Sequence, residues 1–237
     1  MMRRVVRTLG TVMIVAGLGM LGWAVLVWQW QDPFTALYTR YEQRHLSSAF
    51  DERLARFKPA DPKPHASLAA ERRQIALEAA RYRRESHEGD PIGRIRIPRL
   101  GLNIIVVNGT ESESLKKGPG RDLRTFMPGE GKLIYIAGHR TTYLAPFSHI
   151  DSMRVGDRVT IELPYATFVY RVTGHVIVPA TDIGRLRSHG REVLALQACH
   201  PRFFASHRYI VYARPIQLIP RGGEAYSLTG TTVAAAG

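Results

Sequence analysis

The sequence has 237 residues and only one cysteine, Cys199, and this scarcity excludes several kinds of site. A chain with a single thiol cannot form an internal disulfide framework. It also cannot supply the paired thiolates of a Cys-x-x-Cys or Cys/His zinc site. The sequence has no internal repeat either. Any special chemistry of the thiol must therefore depend on its neighbours in the fold.

Acidic residues are few relative to basic ones: 20 Asp and Glu face 33 Lys and Arg, for a net charge of +13. Most of this excess lies in the C-terminal part of the chain. Basic proteins often bind nucleic acid, but the sequence contains no recognition motif for it, so we expect no nucleic-acid partner. A membrane or a polyanionic wall surface fits the charge equally well.

Charge is absent altogether from Thr8 to Gln31, a run of 24 residues. About 20 apolar residues suffice to cross a bilayer. Arg3, Arg4 and Arg7 precede the run, and Trp23, Trp28 and Trp30 lie in its second half. The positive-inside rule then predicts a cytoplasmic N-terminus and transmembrane anchor over residues 1–31, with the rest of the chain on the extracellular face of the cell membrane. A cleaved signal peptide is the alternative, but its apolar core would be shorter and would end in a small-residue cleavage site.

Residues 32–90 have the composition of a helical extracytoplasmic stem. Helices are expected from Phe34 to about Phe57 and from Ser67 to about Glu88, with a break at the prolines of 58–64. The apolar residues of the second helix do not form a wide stripe, which favours a solvated spacer over a regulatory or partner-binding helix.

Short alternating segments begin at Pro91 and indicate a mainly β domain over residues 91–219. Many short strands without long intervening helices suggest a closed barrel or a sandwich. Strands are predicted at 92–98, 102–107, 133–137, 158–163, 167–178, 193–198 and 209–218, and a short helix at 147–153. Residues 220–237 are rich in Gly, Ala and Thr, and we expect a flexible tail.

Two of the predicted strands end in reactive side chains. The run 193–198 ends at Cys199, and the run 133–137 is followed by Gly138 and His139. Strand ends present reactive groups to clefts, and a thiol needs a cationic or proton-handling neighbour to become a good nucleophile. Arg208, nine residues after the cysteine, is a candidate cation.

These segments resemble the motifs of the sortase family. Residues 137–143 (Ala-Gly-His-Arg-Thr-Thr-Tyr) are similar to its histidine motif, 196–199 (Leu-Gln-Ala-Cys) to its cysteine strand, and Arg208 to its essential arginine. The resemblance covers about residues 91–219, and details of 140–147 and 199–202 are most similar to class E. Ala195 and Ala198 depart from the family by replacing threonines.

The resemblance implies a closed eight-stranded β-barrel and an extracytoplasmic transpeptidase. Such an enzyme cleaves a Leu-Pro/Ala-x-Thr-Gly sorting signal between Thr and Gly and joins the secreted protein to an amine of a peptidoglycan precursor or a pilin. Cys199 would be the nucleophile, His139 the acid and base, and Arg208 the group that stabilises the oxyanion. Tyr143, Ala198 and His200 would be substrate-binding residues.

No cofactor and no metal are expected. Some sortases bind calcium near the loop before the cysteine strand, but residues 178–191 offer only Asp182 as a carboxylate for an ion that prefers six to eight oxygen ligands.

Several alternatives remain open from the residues alone. His200 is the main rival of His139, although alternation along a strand points its side chain away from Cys199. Arg202 is the rival of Arg208, with a solvated surface charge as its simpler interpretation.

An L,D-transpeptidase would place its cysteine directly after Ser-His-Gly, whereas Arg191 follows Ser188-His189-Gly190 here. A papain-like peptidase would place its cysteine early, with the histidine downstream. A non-enzymatic wall-binding or assembly module would not need the thiol.

Overall fold

The computed structural model describes residues 2–30, 33–58 and 67–228. Its α-helices are α1 (Met2–Trp30), α2 (Pro33–Arg56), α3 (Leu68–Glu85) and α4 (Ser112–Lys117). Its strands are β1 (Pro91–Ile97), β2 (Leu102–Asn108), β3 (Gly120–Arg121), β4 (Leu133–Ala137), β5 (Arg158–Glu162), β6 (Ala166–Pro179), β7 (Val193–His200), β8 (His207–Pro220) and β9 (Tyr226–Ser227). Short 3₁₀ turns occupy 98–100, 150–152 and 183–186.

Eight strands close into a barrel, as the resemblance implied. Their order is β6-β5-β1-β2-β3-β4-β7-β8, and β8 pairs back with β6 to complete the ring, while β9 adds to the free edge of β8. The alternation in β1 shows why the sequence folds in this way: Ile95 and Ile97 are fully buried, while Arg94 and Arg96 face outwards into ion pairs with Glu162. The predicted closed, mainly β fold is confirmed.

Each predicted strand is present, but strands β3 and β9, helix α4 and the 3₁₀ turns at 98–100 and 183–186 were not predicted. The two-residue strand β3 lies in a Gly-Pro-Gly segment that has no apolar alternation, and α4 is only six residues long. The predicted helix 147–153 is reduced to the 3₁₀ turn at 150–152. Part of the segment that was expected to be a flexible tail forms strand β9. This part is ordered because it pairs with Gln217 and Leu218 of β8. Residues 229–237 of that tail lie outside the described residues.

The helix α1 is long and apolar enough over Met2–Val25 to cross a membrane, and none of that window is buried. The predicted break at 58–64 falls largely on residues 59–66, which lie outside the described part of the chain.

Helix α3 is packed into the barrel core, so the prediction of a solvated spacer is wrong. Its residues Ile75, Ala79 and Tyr82 belong to the same buried cluster as the interior of the barrel. The buried face also includes Glu71 and Glu78, at helical spacing from the apolar residues. The apolar residues alone do not form a wide stripe because these two carboxylates complete the buried face, and Glu78 is buried with its carboxylate 2.6 Å from Arg81.

Helix α2 also packs against the barrel. Leu46 and Phe50 form a buried cluster with Ile105 and Val107 of strand β2. Gln43 adds a two-way hydrogen bond to the backbone of Ile105, with its amide oxygen 2.8 Å from the N–H and its amide nitrogen 3.1 Å from the carbonyl. The segment 33–56 is therefore held on the barrel surface by both apolar burial and backbone hydrogen bonds.

Candidate active site

A cleft of about 300 Å³ opens where strands β4 and β7 end and strand β8 begins. Cys199, His139 and Arg208 all line it, and each of the three is half-buried, so that its side chain remains reachable from solvent. The apolar part of the wall comes from Leu115, Val178, Ile183 and Leu186. The structure therefore brings Cys199 into one cleft with His139, which lies 60 positions earlier in the sequence, and with Arg208, which lies 9 positions later.

Strand register explains how the three residues meet. Cys199 is the direct antiparallel partner of Arg208 in the β7–β8 pair. On its other side β7 runs parallel to β4, where Ala137 pairs with Gln197 and Gly138 donates its N–H to the Gln197 carbonyl at 2.9 Å. Two residues beyond Ala137, the chain reaches His139. Because opposite residues on neighbouring strands lie about 5 Å apart, this register places Cys199 on the strand between the one that leads to His139 and the one that carries Arg208.

The imidazole of His139 is in a desolvated position. Burial lowers its pKa from the ordinary value, since burial disfavours the charged imidazolium. Its Nε2 is buried and has no hydrogen-bond partner among the described residues. The ring of Tyr143 covers it at a centroid distance of 5.1 Å, with the two planes 36° apart. A buried, unpaired ring nitrogen in a residue that lines the same cleft as a thiol is a candidate for proton transfer.

The loop that carries His139 has an unusual backbone. Gly138 is required here, because a Cβ at this position would come within 2.6 Å of the Phe147 ring. The carbonyl of His139 then accepts the N–H of Phe147 at 3.1 Å, which closes the loop on itself. Residues 143–145 have φ values of 52°, 61° and 38°. Such left-handed conformations cost about 1–2 kcal/mol for each non-glycine residue, so the loop needs external contacts to hold it.

Arg208 is held by backbone oxygens instead of by a carboxylate. One of its guanidinium nitrogens donates to the carbonyls of Ala205 at 2.7 Å and His207 at 3.0 Å. Among the residues that the structure describes, no carboxylate forms an ion pair with it. The guanidinium therefore keeps an uncompensated charge at the rim of the cleft, where an anion or a developing oxyanion would be stabilised.

Arg140, to which the sequence analysis assigned no role, joins the histidine loop to the cysteine strand. It is 4% exposed and donates to the carbonyl of Cys199 at 3.2 Å and to Asp151 at 2.7 Å. It also lies 3.0 Å from Nδ1 of His200. This set of three polar partners suits arginine, because its planar guanidinium carries five N–H donors that point in different directions. The only sequence signal was its position directly after His139.

The remaining predicted residues lie away from the cleft lining. Ala198 is fully buried in the barrel core. His200 faces Arg140 and the Tyr209 ring, so it does not compete with His139 beside the thiol. Tyr143 reaches the site indirectly through its contact with His139. The rival Arg202 is not a fully solvated charge, because its Nε is buried without a hydrogen-bond partner among the described residues.

Metal ligands are not clustered in this part of the molecule. Within the described ranges, no group of three or more His, Cys, Asp or Glu side chains is arranged to hold an ion.

Comparison with known proteins agrees with this architecture. Residues 95–216 match the family model described as "Sortase domain". Sortase D of Bacillus subtilis (strain 168) is 30% identical over 132 residues, which cover 54% of this chain and 65% of that protein. Sortase SrtE1 of Streptomyces coelicolor is 26% identical over 150 residues, or 56% of this chain and 42% of that protein. The chain thus aligns with less than two thirds of the length of these relatives.

Two solved structures show the same fold. The Clostridium perfringens Sortase D5 transpeptidase superimposes with a TM-score of 0.58 at 25% identity, covering 74% of this chain and 99% of that one. Sortase E from Streptomyces avermitilis gives 0.51 at 33% identity, covering 56% and 93%. Similarity is thus spread over class D and class E proteins, and it supports class E specifically only weakly.

Proposed function

Because the chain belongs to the sortase family, we propose that it is a cysteine transpeptidase that cuts a C-terminal sorting signal of secreted proteins and joins them to an amine. The observation that carries this proposal is the common cleft of Cys199, His139 and Arg208. A sulfur nucleophile, an imidazole that moves protons and a guanidinium that stabilises an oxyanion together suit an acyl transfer through a thioester. A non-enzymatic binding module gives no reason for them to share one cleft.

The proposed reaction has two steps, acylation of Cys199 and transfer of the acyl group to an amine. The Cys199 thiolate attacks the threonine carbonyl carbon, and the C–N bond to glycine breaks as the His139 imidazolium gives its proton to the leaving amine. An acceptor amine then attacks the thioester, so that a new C–N bond forms and the C–S bond breaks. Neutral His139 takes the proton from the incoming amine, and the thiolate returns as the leaving group. Splitting the amide exchange in this way lowers the barrier of each step.

Arg208 acts on the negative charge that develops on the carbonyl oxygen. Its guanidinium is fixed by Ala205 and His207, so little reorganisation is needed during the reaction. Loss of a single donor to an oxyanion costs about 3–4 kcal/mol in well-studied enzymes, and we expect Arg208→Gln to lower kcat by about 10²–10³-fold.

The finer assignments belong to the same proposal. The signal is Leu-Pro-x-Thr-Gly or Leu-Ala-x-Thr-Gly, and the acceptor is an amine of a peptidoglycan precursor or of a pilin. Helix α1 anchors the chain in the cell membrane, with Arg3, Arg4 and Arg7 on the cytoplasmic side. The domains are then the anchor 1–31, the stem 32–90, the barrel 91–219 and the tail 220–237.

The experiment uses the full chain in neutral detergent micelles with peptides of both signals and a glycine-type amine. Mass spectrometry should detect an acyl adduct on Cys199 without the amine, and a transfer product with it. Cys199→Ala and His139→Gln should abolish the product, while the matched control His149→Gln, an exposed histidine outside the cleft lining, should retain it. A folded Cys199→Ala variant that still forms the product would disprove the mechanism. An absence of adduct with every peptide would favour the wall-binding module.

A further inference from the structure

A second cleft, of about 630 Å³, lies on the other side of the loop 180–192 from the candidate active site. Leu133 and Val193 form its floor at the start of strands β4 and β7, and Tyr212 of strand β8 borders it. Cys199, His139 and Arg208 do not line it. Its volume is within the range of small-molecule sites, which is roughly 300–1,000 Å³.

Four guanidinium groups surround this cleft: Arg185, Arg187, Arg191 and Arg214. His189 adds a fifth basic side chain, and among the described residues that line the cleft Asp182 is the only carboxylate. Asp182 is already paired with Arg185 at 3.1 Å. Among the described residues, the side chains of the other three arginines have neither an ion pair nor a hydrogen bond. Their positive charges reinforce one another and have no internal anion to offset them.

The loop that carries most of these arginines is tied down on the barrel. Ser188 accepts the N–H of Leu133 at 3.1 Å, and Asp182 accepts the N–H of Gly184 at 3.1 Å. At the end of the loop, Glu192 accepts from Gly129 and Tyr170. These contacts fix the backbone of the loop before any ligand arrives, which reduces the entropy lost on binding, while the arginine side chains themselves are exposed.

We propose that this cleft binds a small ligand that carries two or more phosphate charges. Arginine forks match the oxygen geometry of phosphate groups, and pairs of this kind are among the stronger charge-assisted hydrogen bonds. One phosphate is too small for the cleft and for its excess charge. The half-buried Tyr212 and Val193 leave an apolar surface for an uncharged body beside the phosphates. The concave shape favours a discrete ligand over a flat membrane surface.

The test measures binding of inorganic pyrophosphate to the full chain in neutral detergent micelles by isothermal titration calorimetry. We expect saturable 1:1 binding that weakens as salt increases, because the charges are solvent-accessible. The double variant Arg187→Gln/Arg191→Gln should bind roughly tenfold to a hundredfold more weakly, as expected for two lost charge-assisted hydrogen bonds. Arg84→Gln/Arg154→Gln is the matched control, since it removes the same charge from exposed arginines outside the cleft.

The outcomes separate the possible explanations. Equal weakening by both double variants would show general charge attraction and would overturn the proposal, as would an absence of saturable binding at low salt. Binding only to micelles doped with anionic phospholipid, and not to pyrophosphate in solution, would also overturn it in favour of a lipid surface. The readout does not depend on transpeptidation, so Cys199→Ala should bind pyrophosphate as the wild type does.

Discussion

The backbone N–H of Tyr143 donates a hydrogen bond to the side-chain hydroxyl of Thr35 at 3.1 Å, across 108 positions of the sequence. Thr35 lies in the first turns of helix α2, shortly after the apolar helix α1. The Tyr143 ring contacts Tyr38 of the same helix at 6.4 Å on one side and His139 at 5.1 Å on the other. The helix that follows the proposed anchor therefore supports the loop of the proposed catalytic histidine.

The contact predicts that Thr35 positions the histidine loop without touching substrate. Thr35→Val keeps the shape of the side chain but removes the acceptor for Tyr143. A net hydrogen bond contributes about 0.5–1.5 kcal/mol, so we expect kcat/KM for peptide transfer to fall about 2- to 10-fold while the melting temperature changes little. Steady-state kinetics on the full chain in micelles measure this effect.

The hydroxyl itself can be separated from helix stability by two further variants. Thr35→Ser restores the acceptor and should recover most of the activity. Ser48→Ala removes an exposed hydroxyl from the same helix, which only bonds back to Arg44, and should leave kcat/KM unchanged. If Ser48→Ala and Thr35→Val lower activity equally, the Tyr143 contact has no specific role.

The Tyr143 ring should also control the protonation of His139. Burial holds the pKa of the imidazole below its ordinary value of about 6.5, and the ring is part of that cover. Tyr143→Ala admits water, which stabilises the imidazolium, so the pKa should rise towards the ordinary value. NMR titration of the histidine side chains would measure the shift.

The same change has a kinetic consequence with a definite sign. A general acid loses activity as the pH rises through its pKa, so a higher His139 pKa moves the alkaline fall of the acylation rate to higher pH. Tyr143→Phe keeps the aromatic cover and should titrate as the wild type does. A Tyr143→Ala variant with an unchanged His139 titration would show that other groups account for the desolvation.

Arg140 should be essential for the geometry of the cleft although it lies behind it. Removing the guanidinium in Arg140→Met leaves the Cys199 carbonyl and the His200 ring nitrogen without this donor. Each buried unsatisfied group costs about 1–3 kcal/mol, so denaturant unfolding should show a loss of about 2–4 kcal/mol. Arg140→Lys should recover only part of it, because an ammonium cannot reproduce the fork.

Asp151 provides the comparison for this prediction. Its side chain is 50% exposed, so Asp151→Asn should cost less than about 1 kcal/mol, as surface ion pairs do. A loss in Asp151→Asn as large as that in Arg140→Met would assign the effect to the ion pair and not to the backbone of the cysteine strand.

The alternation of apolar and polar residues was sufficient for a mainly β fold but left a barrel and a sandwich open, and only the family resemblance implied the closed barrel. Alternation of apolar and polar residues placed β1, β5 and β6 within one or two residues, because each buries one face. Cys199 and His139 could be found because each lies at the end of an apolar run. Their convergence in one cleft depends on strand register, and only the family resemblance implied it before the structure was known.

The packing of the helices could not be read in the same way. In α3 the buried stripe includes Glu71 and Glu78, and a charged residue gives no apolar signal. The bond between Thr35 and Tyr143 joins two ordinary residues with no pattern to link them. The arginines of the second cleft lie in a loop, where basic side chains are usually solvated, and only the fold shows that they surround one space.

Glu192 is the last residue of the loop 180–192 that lines the second cleft, and its carboxylate binds the turn at residues 129–131. Although the residue is only half-buried, its carboxylate accepts the Tyr170 hydroxyl at 2.6 Å and the N–H groups of Gly129 and Gly131 at 3.0 and 3.1 Å. Burial nevertheless raises the pKa of this carboxyl group, because desolvation outweighs the hydrogen bonds that favour the charged form.

The raised pKa of Glu192 predicts how stability depends on pH. Between the unfolded value of about 4.3 and the higher folded value, the folded state binds more protons than the unfolded state. The contribution to stability is thus fully present below about pH 4.3 and is lost as the pH rises through the folded pKa. Glu192→Gln keeps an acceptor but cannot titrate. As the pH rises from about 4.3 through the folded pKa, the variant should therefore lose less free energy of unfolding than the wild type. Denaturant unfolding at several pH values measures the difference. A Glu192→Gln curve that stays parallel to that of the wild type would mean that the carboxylate has the same pKa in both states.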